Sequence, residues 1–355
     1  MFMARSALQY FRWAFVVTAL GLVLAAWLGW ATYGNWAGAL SFLMIGSVLA
    51  VLEISLSFDN AIVNANKLKD MSPLWQKRFL TWGIVIAVFG MRVIFPLAVV
   101  AIAAQIGPWA ALKLAATDPA QYSNIIGEAH LGIAAFGGAF LMMVALTYFM
   151  DEAKEVDWIR VVECQLRRCA PLRGLQITLV LLTLLAFGMV QTGEERATFM
   201  VAGVFGLVSF TVVEMLGRFL DSRDQAACAA RAGGLGAFMY LEVLDASFSF
   251  DGVIGAFALT QNLFLIAIGL GVGAMYVRSM TIMLVEQQTL AQFRYLEHGA
   301  FYSILALSVI MFAQSVTHIN ELVTGLIGAG LILGALWSSM RWNKVNGAGM
   351  SEPGE

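Results

Sequence analysis

Leu52-Glu53-Ile54-Ser55-Leu56-Ser57-Phe58-Asp59-Asn60 returns later in the chain as Leu244-Asp245-Ala246-Ser247-Phe248-Ser249-Phe250-Asp251-Gly252. An acid holds the second position of both copies, and both serines, a phenylalanine and the aspartate recur in register. Each copy lies in an apolar run longer than the ~20 residues that cross a bilayer. A charge at the bilayer centre costs about 3 kcal/mol on insertion scales. Glu53, Asp59, Arg92, Asp245, Asp251 and Arg278 together oppose insertion by on the order of 18 kcal/mol before any pairing. Acids kept twice at that cost read as an ion path.

The rest of the chain agrees with a membrane setting. Of 355 residues, 60% are hydrophobic and only 12% are charged, a surface that water would not tolerate. A net charge of −2 leaves nucleic acid no electrostatic foothold. Cys164, Cys169 and Cys228 fall in polar connections without a zinc-like arrangement, so they read as reduced thiols. The N-terminal run behind Arg5 and Arg12 is too long for a signal peptide and reads as a first span.

The expected fold class is an all-α polytopic membrane protein with about ten spans, nine to eleven, counted at ~20 residues per crossing. They fall near 11–33, 38–66, 79–105, 129–150, 174–191, 198–217, 233–260, 262–285, 299–314 and 320–340. This places 17 of the 21 Lys and Arg residues on one side and only Lys113 and Arg196 on the other, with Arg92 and Arg278 inside spans. By the positive-inside rule both termini are cytoplasmic.

Five crossings separate the two motif copies, so they insert in opposite directions. The halves continue alike: the next span carries Arg92 or Arg278, and the one after it opens with Glu128-Ala129-His130 or Glu297-His298. Three helices therefore match three inverted helices, the arrangement of many secondary transporters, whose site lies at the repeat interface. The expected organisation is an extra span over 1–37, a first repeat over 38–150, linking spans over 151–232, an inverted repeat over 233–315, and a last span and tail over 316–355.

Glu53 and Asp59 lie about 120° apart on a regular helix. They converge on one ion only if the backbone opens between Ser55 and Phe58; otherwise Ser55 and Asp59 share one face, and Glu53, Asn60 and Asn64 another. Acid–arginine pairing for bundle stability is the plain alternative, but four carboxylates against two guanidiniums leave a charge of −2. One divalent cation or two protons would neutralise it. Carboxylate, amide and hydroxyl oxygens suit Mg²⁺, Mn²⁺ or Ca²⁺ better than soft metals. The candidate metal set is Glu53, Asp59, Asn60, Asp245 and Asp251, supported by Ser55, Ser57, Asn64, Ser247, Ser249, Arg92 and Arg278. Glu128, His130, Glu297 and His298 could form a proton relay, although an interfacial histidine bonded to a neighbour is the more ordinary role. Glu214 and Glu242 rank second. The charge run Asp151–Asp157 is expected to be solvated.

With Glu53–Ala61 and Asp245–Gly252 in hand, the chain resembles the TerC family of integral membrane proteins, most closely its DUF475 branch, from about residue 38 to 315. That resemblance implies a bacterial cytoplasmic-membrane exporter of Mn²⁺, with Glu53, Asp59, Asn60, Asp245 and Asp251 at the ion site. The second copy departs from the first in having Gly252 where Asn60 stands. No prosthetic group is expected. The partners are the divalent cation and the lipid bilayer, and a homodimer is an option that the sequence does not support. Two other classes compete: a membrane scaffold for tellurite or stress resistance, and an intramembrane aspartyl protease, whose G-x-G-D signature is absent. No G-x4-G-K-[ST] loop points to ATP.

Overall fold

A computed structural model describes residues 7–347 apart from 70, 84–85, 87–89, 91–93, 153, 170–171, 173, 228–233, 261, 288–291, 318 and 320. Among the described residues there is no strand, and the chain is an all-α polytopic membrane protein. Seven helical segments are long and apolar enough to cross a bilayer: 8–33, 36–55, 119–149, 193–216, 263–286, 296–314 and 323–345. A shorter apolar helix covers 175–190. Of the ten expected spans, the third falls partly on residues that are not described, and the seventh is a helix interrupted by acids.

In chain order the helices are α1 (Ala7–Tyr33), α2 (Trp36–Leu56), α3 (Phe58–Leu68), α4 (Pro73–Arg78) with a π-helical turn (Phe79–Gly83), α5 (Phe95–Ala103), α6 (Pro108–Thr117) and α7 (Pro119–Phe149). There follow α8 (Arg160–Arg168), α9 (Leu175–Val190), α10 (Gly193–Ala227), α11 (Leu235–Leu259), α12 (Leu263–Glu286), α13 (Leu296–Gln314) and α14 (Glu321–Gly347). Three long helices start with the side-chain cap that Asx residues supply. Asn35 accepts from Gly38 N–H, Asp118 from Gln121 N–H, and Asn262 from Leu265 N–H.

Side-chain contacts fix the directions. Leu49 meets Gly269 and Glu53 meets Gly273, so α2 and α12 run parallel. Tyr10 donates to Glu286 and Thr18 to Tyr276, so α1 runs against α12. Asn66 reaches Glu297 and Ser303 reaches Asp59, so α13 runs against α3. Ala335 lies beside Gly299 and Ser303 beside Gly328, so α14 runs against α13. Both ends of the described chain therefore emerge on one side, together with Lys67, Lys69, Lys154, Arg294 and Lys344. We call this side the basic face.

On that face the charge run after α7 divides: Asp151, Glu152 and Glu155 are exposed, as its composition predicts, while Lys154 and Asp157 turn inward. Lys154 and Glu163 side chains are only 7% and 0% exposed, and they pair directly. Glu163 Oε1 also accepts the N–H groups of Trp158 and Ile159, at 3.1 and 3.0 Å. His298 Nε2 lies 2.7 Å from the Val156 carbonyl and 3.4 Å from Glu163 Oε2, fastening the loop to the start of α13. Arg167 donates to Asp157 and to the Lys154 carbonyl. Lys154 folds inward because Glu163, from α8, supplies its counter-charge, and Asp157 because Arg167 does.

Burial alone would raise the Glu163 pKa. The hydrogen bonds from Lys154 and Ile159, with the charges of His298 and Lys154, outweigh it and hold the carboxyl below the usual carboxylate range. A depressed pKa stabilises the fold above the usual range and loses that contribution as pH falls through the lowered value. Glu163→Ala should cost about 3–5 kcal/mol by stranding Lys154 in a buried site, read as a lowered Tm of the purified protein. Glu163→Gln should lose less, and its stability deficit should shrink as the pH is taken below the carboxylate range.

Candidate ion site at the motif crossing

The first motif copy breaks its helix. Ser57 ends α2 at φ −100°, ψ 15°, and α3 starts at Phe58. The break is one residue wide, because Ser57 N–H still bonds the Glu53 carbonyl at 3.0 Å and Ala61 N–H bonds Ser57 at 3.2 Å. Ser57 Oγ turns back to Glu53 Oε1 at 3.0 Å. Asp59 thereby sits in the first turn of α3, where free N–H groups and the helix dipole favour an anion. One of its oxygens accepts from Asn60 N–H at 2.8 Å and the other from Ser303 Oγ at 2.8 Å. The second copy has no such break, and α11 runs on through it.

The two copies cross head to tail. Glu53 lies against Gly252, and Asn60 Nδ2 donates to Asp245 Oδ1. Aligned by motif, Glu53 matches Asp245 and Asn60 matches Gly252. Each acid at the second position thus faces the ninth position of the opposite copy. A Cβ added at Gly252 would come within 2.8 Å of Glu53 Oε2, and one at Gly273 within 2.3 Å of Glu53 Cγ. The long acid needs a glycine opposite it, whereas the short acid is met by an asparagine. This accounts for the one position where the copies part company.

The five residues expected to share an ion do not line one cavity. A cavity of about 30 Å³ is bordered by Glu53, Ser57, Asp59, Gly252, Ser303 and Thr324. A second, of about 40 Å³, is bordered by Asn64, Gly83, Glu242, Asp245, Arg278 and Thr281. Helix α3 contributes Asp59 to one and Asn64 to the other, with the Asn60–Asp245 hydrogen bond between them. Ser55 lines the first cavity, but its hydroxyl is spent on the Val51 carbonyl at 2.8 Å. Arg92 and the side chains of Ser247, Ser249 and Asp251 lie outside the described residues. Among the described residues no three His, Cys, Asp or Glu gather closely enough to hold a metal by themselves. A cation in the first cavity would lean on two carboxylates and on hydroxyl or water oxygens.

The relay is not assembled. Tyr148 stacks on Phe301 with ring centroids 3.7 Å apart, which sets α7 beside α13. His130 then lies about five turns up α7 from the start of α13, ~27 Å from Glu297 and His298. Glu128 is exposed, and the pair sits well inside α7 rather than at its opening. Glu297 instead accepts from Asn66 at 2.7 Å and faces Lys69 at 3.7 Å. Glu214 lines a wider cavity of about 300 Å³ at the basic face, with Lys67, Asp151, Tyr148 and Tyr240. Glu242 is buried rather than solvated, at 7% exposure.

Ser303 and Thr324 escaped sequence reading because single hydroxyls in apolar helices carry no periodic or paired signal. Thr324 is buried and its Oγ1 has no hydrogen-bond partner among the described residues. Gly273→Ala should lower the Tm by forcing Glu53 aside, an overpacking cost of about 1–3 kcal/mol. Adding Glu53→Gly, which removes the Cβ that would stand 2.5 Å away as well as the Cγ, should return most of that loss, so the two changes should be strongly non-additive in a double-mutant cycle.

No curated protein and no solved structure matches the chain. A family model described as "Protein of unknown function (DUF475)" matches residues 58–346, beginning one residue after the Ser57 break and taking in Asp59 and the whole second copy. That match spans most of the sequence, and the chain belongs to the DUF475 family.

Proposed function

We propose that the protein is a secondary transporter that moves a divalent metal cation across the membrane, with the ion resting between Glu53 and Asp59. The observation that carries this reading is the first cavity: two buried carboxylates and four hydroxyls around about 30 Å³, at the crossing of the motif copies. Such a volume holds two or three waters at most, since each needs ~10–15 Å³ on this measure. Organic substrates occupy pockets of roughly 300–1,000 Å³. An amino acid is therefore a poor cargo and a largely dehydrated ion a good one.

Charge and donor type narrow the ion. Glu53 and Asp59 contribute −2 when ionised, which a divalent cation neutralises. Hard oxygen donors favour Mn²⁺, Mg²⁺ or Ca²⁺, and the TerC-like resemblance favours Mn²⁺ and outward movement. The wider cavity around Lys67 and Glu214 is the approach from the basic face, which we take as cytoplasmic on the positive-inside rule. Bacterial inner-membrane placement with both termini in the cytoplasm belongs to the same proposal.

The same contacts would serve a scaffold that uses Asp59 only to tie α3 to α13. Transport separates the two. Proteoliposomes of the full chain should move Mn²⁺, and Asp59→Asn should cut the rate at least 10-fold while the Tm stays near that of the wild type. Ser303→Ala should slow it several-fold. Absence of Mn²⁺, Mg²⁺ and Ca²⁺ flux in the wild type, under either a pH gradient or a membrane potential, would refute the transporter reading.

A further inference from the structure

The second cavity holds a cluster that divalent transport through the first does not use. Glu242 and Asn64 are 7% and 4% exposed, and Glu242 Oε1 and Asn64 Oδ1 each lack a hydrogen-bond partner among the described residues. Both border the cavity of about 40 Å³ between α3, α11, α12 and the π-helical turn. A buried acceptor without a donor costs about 1–3 kcal/mol, and a charged one more. Two such oxygens facing one small space call for a positive partner. The backbone makes room for this: a Cβ at Gly83 would stand 2.8 Å from Glu242 Oε1. Gly83 lies in the π-helical turn, a distortion often found at functional sites.

We propose that this cavity binds one dehydrated monovalent cation, Na⁺ or K⁺, held by Glu242, Asn64 and Asp245. The proposal rests on the transporter reading only for its role, since a bound ion here would be the coupling ion. Its chemistry stands on the cavity alone. With Glu242 and Asp245 both ionised the acids bring −2 and Arg278 brings +1, so the described lining then carries −1, which one monovalent cation balances. Thr281 adds a hydroxyl to the lining, its own proton given to the Val277 carbonyl at 2.9 Å, so its oxygen can only accept. The unpartnered atoms are two acceptor oxygens and the Arg278 Nε–H donor, and an anion is disfavoured because the carboxylates outnumber the one guanidinium. Arg278 thus sets the charge of the ion accepted: it lowers by one the charge that the two acids would otherwise attract. Asp245 links this cavity to the other, because its Oδ1 accepts from Asn60, the neighbour of Asp59.

The test is equilibrium binding of radiolabelled Na⁺ to the full-length protein in detergent, with K⁺ as a separate arm. About one ion per chain should bind, and Glu242→Gln should weaken binding at least 10-fold, while Asp59→Asn should leave it within about 2-fold. Arg278→Gln should turn the lining to −2 and move preference from the monovalent ion toward Mg²⁺ by at least 10-fold, a reversal that simple misfolding cannot produce. Binding of neither Na⁺ nor K⁺, or binding indifferent to Glu242→Gln, would overturn the proposal and leave a water-filled cavity. Monovalent binding without divalent flux would uphold this site and remove only the reading of the other. Divalent flux without monovalent binding would do the reverse.

Discussion

A pair of acidic segments must be buried in a bilayer, and everything at the centre of this protein follows from how they lie against each other. Their antiparallel crossing lets each acid at the second position find a small or amide-bearing partner on the opposite copy. Glu53 fills the gap left by Gly252 and Gly273, and Asp245 takes the amide of Asn60. A buried ionised group without such partners would cost several kcal/mol or be driven neutral. The parallel contact of α2 with α12 and the opposed contact of α3 with α13 both serve to keep this crossing in register.

The one-residue break at Ser57 is what separates the two halves of that crossing chemically. It leaves Glu53 at the end of one helix and Asp59 at the start of the next, so two acids six residues apart come to border one space. A continuous helix would have held them on different faces. The second copy keeps its helix intact, which places Asp245 on the far side of α3 and gives the two cavities different linings.

Sequence reading reached the membrane class, most of the spans and the antiparallel pairing of the motifs, because hydrophobic length and repeated acids are strong signals, but it set the start of α7 ten residues late. It also placed Glu53 and Asp59 together, on condition that the helix opened where it does. It did not separate Asp245 from them, since which side of α3 a residue faces depends on the crossing angle, which no residue pattern encodes. Ser303 was invisible for the reason that any lone hydroxyl in an apolar run is. The charge run beside the span meets water at Asp151, Glu152 and Glu155 as expected, but the burial of Lys154 against Glu163 and His298 was not legible. That burial depends on α8 folding back over the end of α7, a tertiary event.

The capping pattern has a consequence of its own. The helices that begin opposite the basic face, α2, α7 and α12, are started by local Asx side chains three residues from their partners. Those that begin on the basic face, α9, α11 and α13, have no side-chain cap, and the last is secured by distant ionic and polar contacts. One rim of the bundle is thus self-contained and indifferent to its surroundings. The other is assembled from long-range charges, so ionic strength and acidity act on the molecule mainly from that rim.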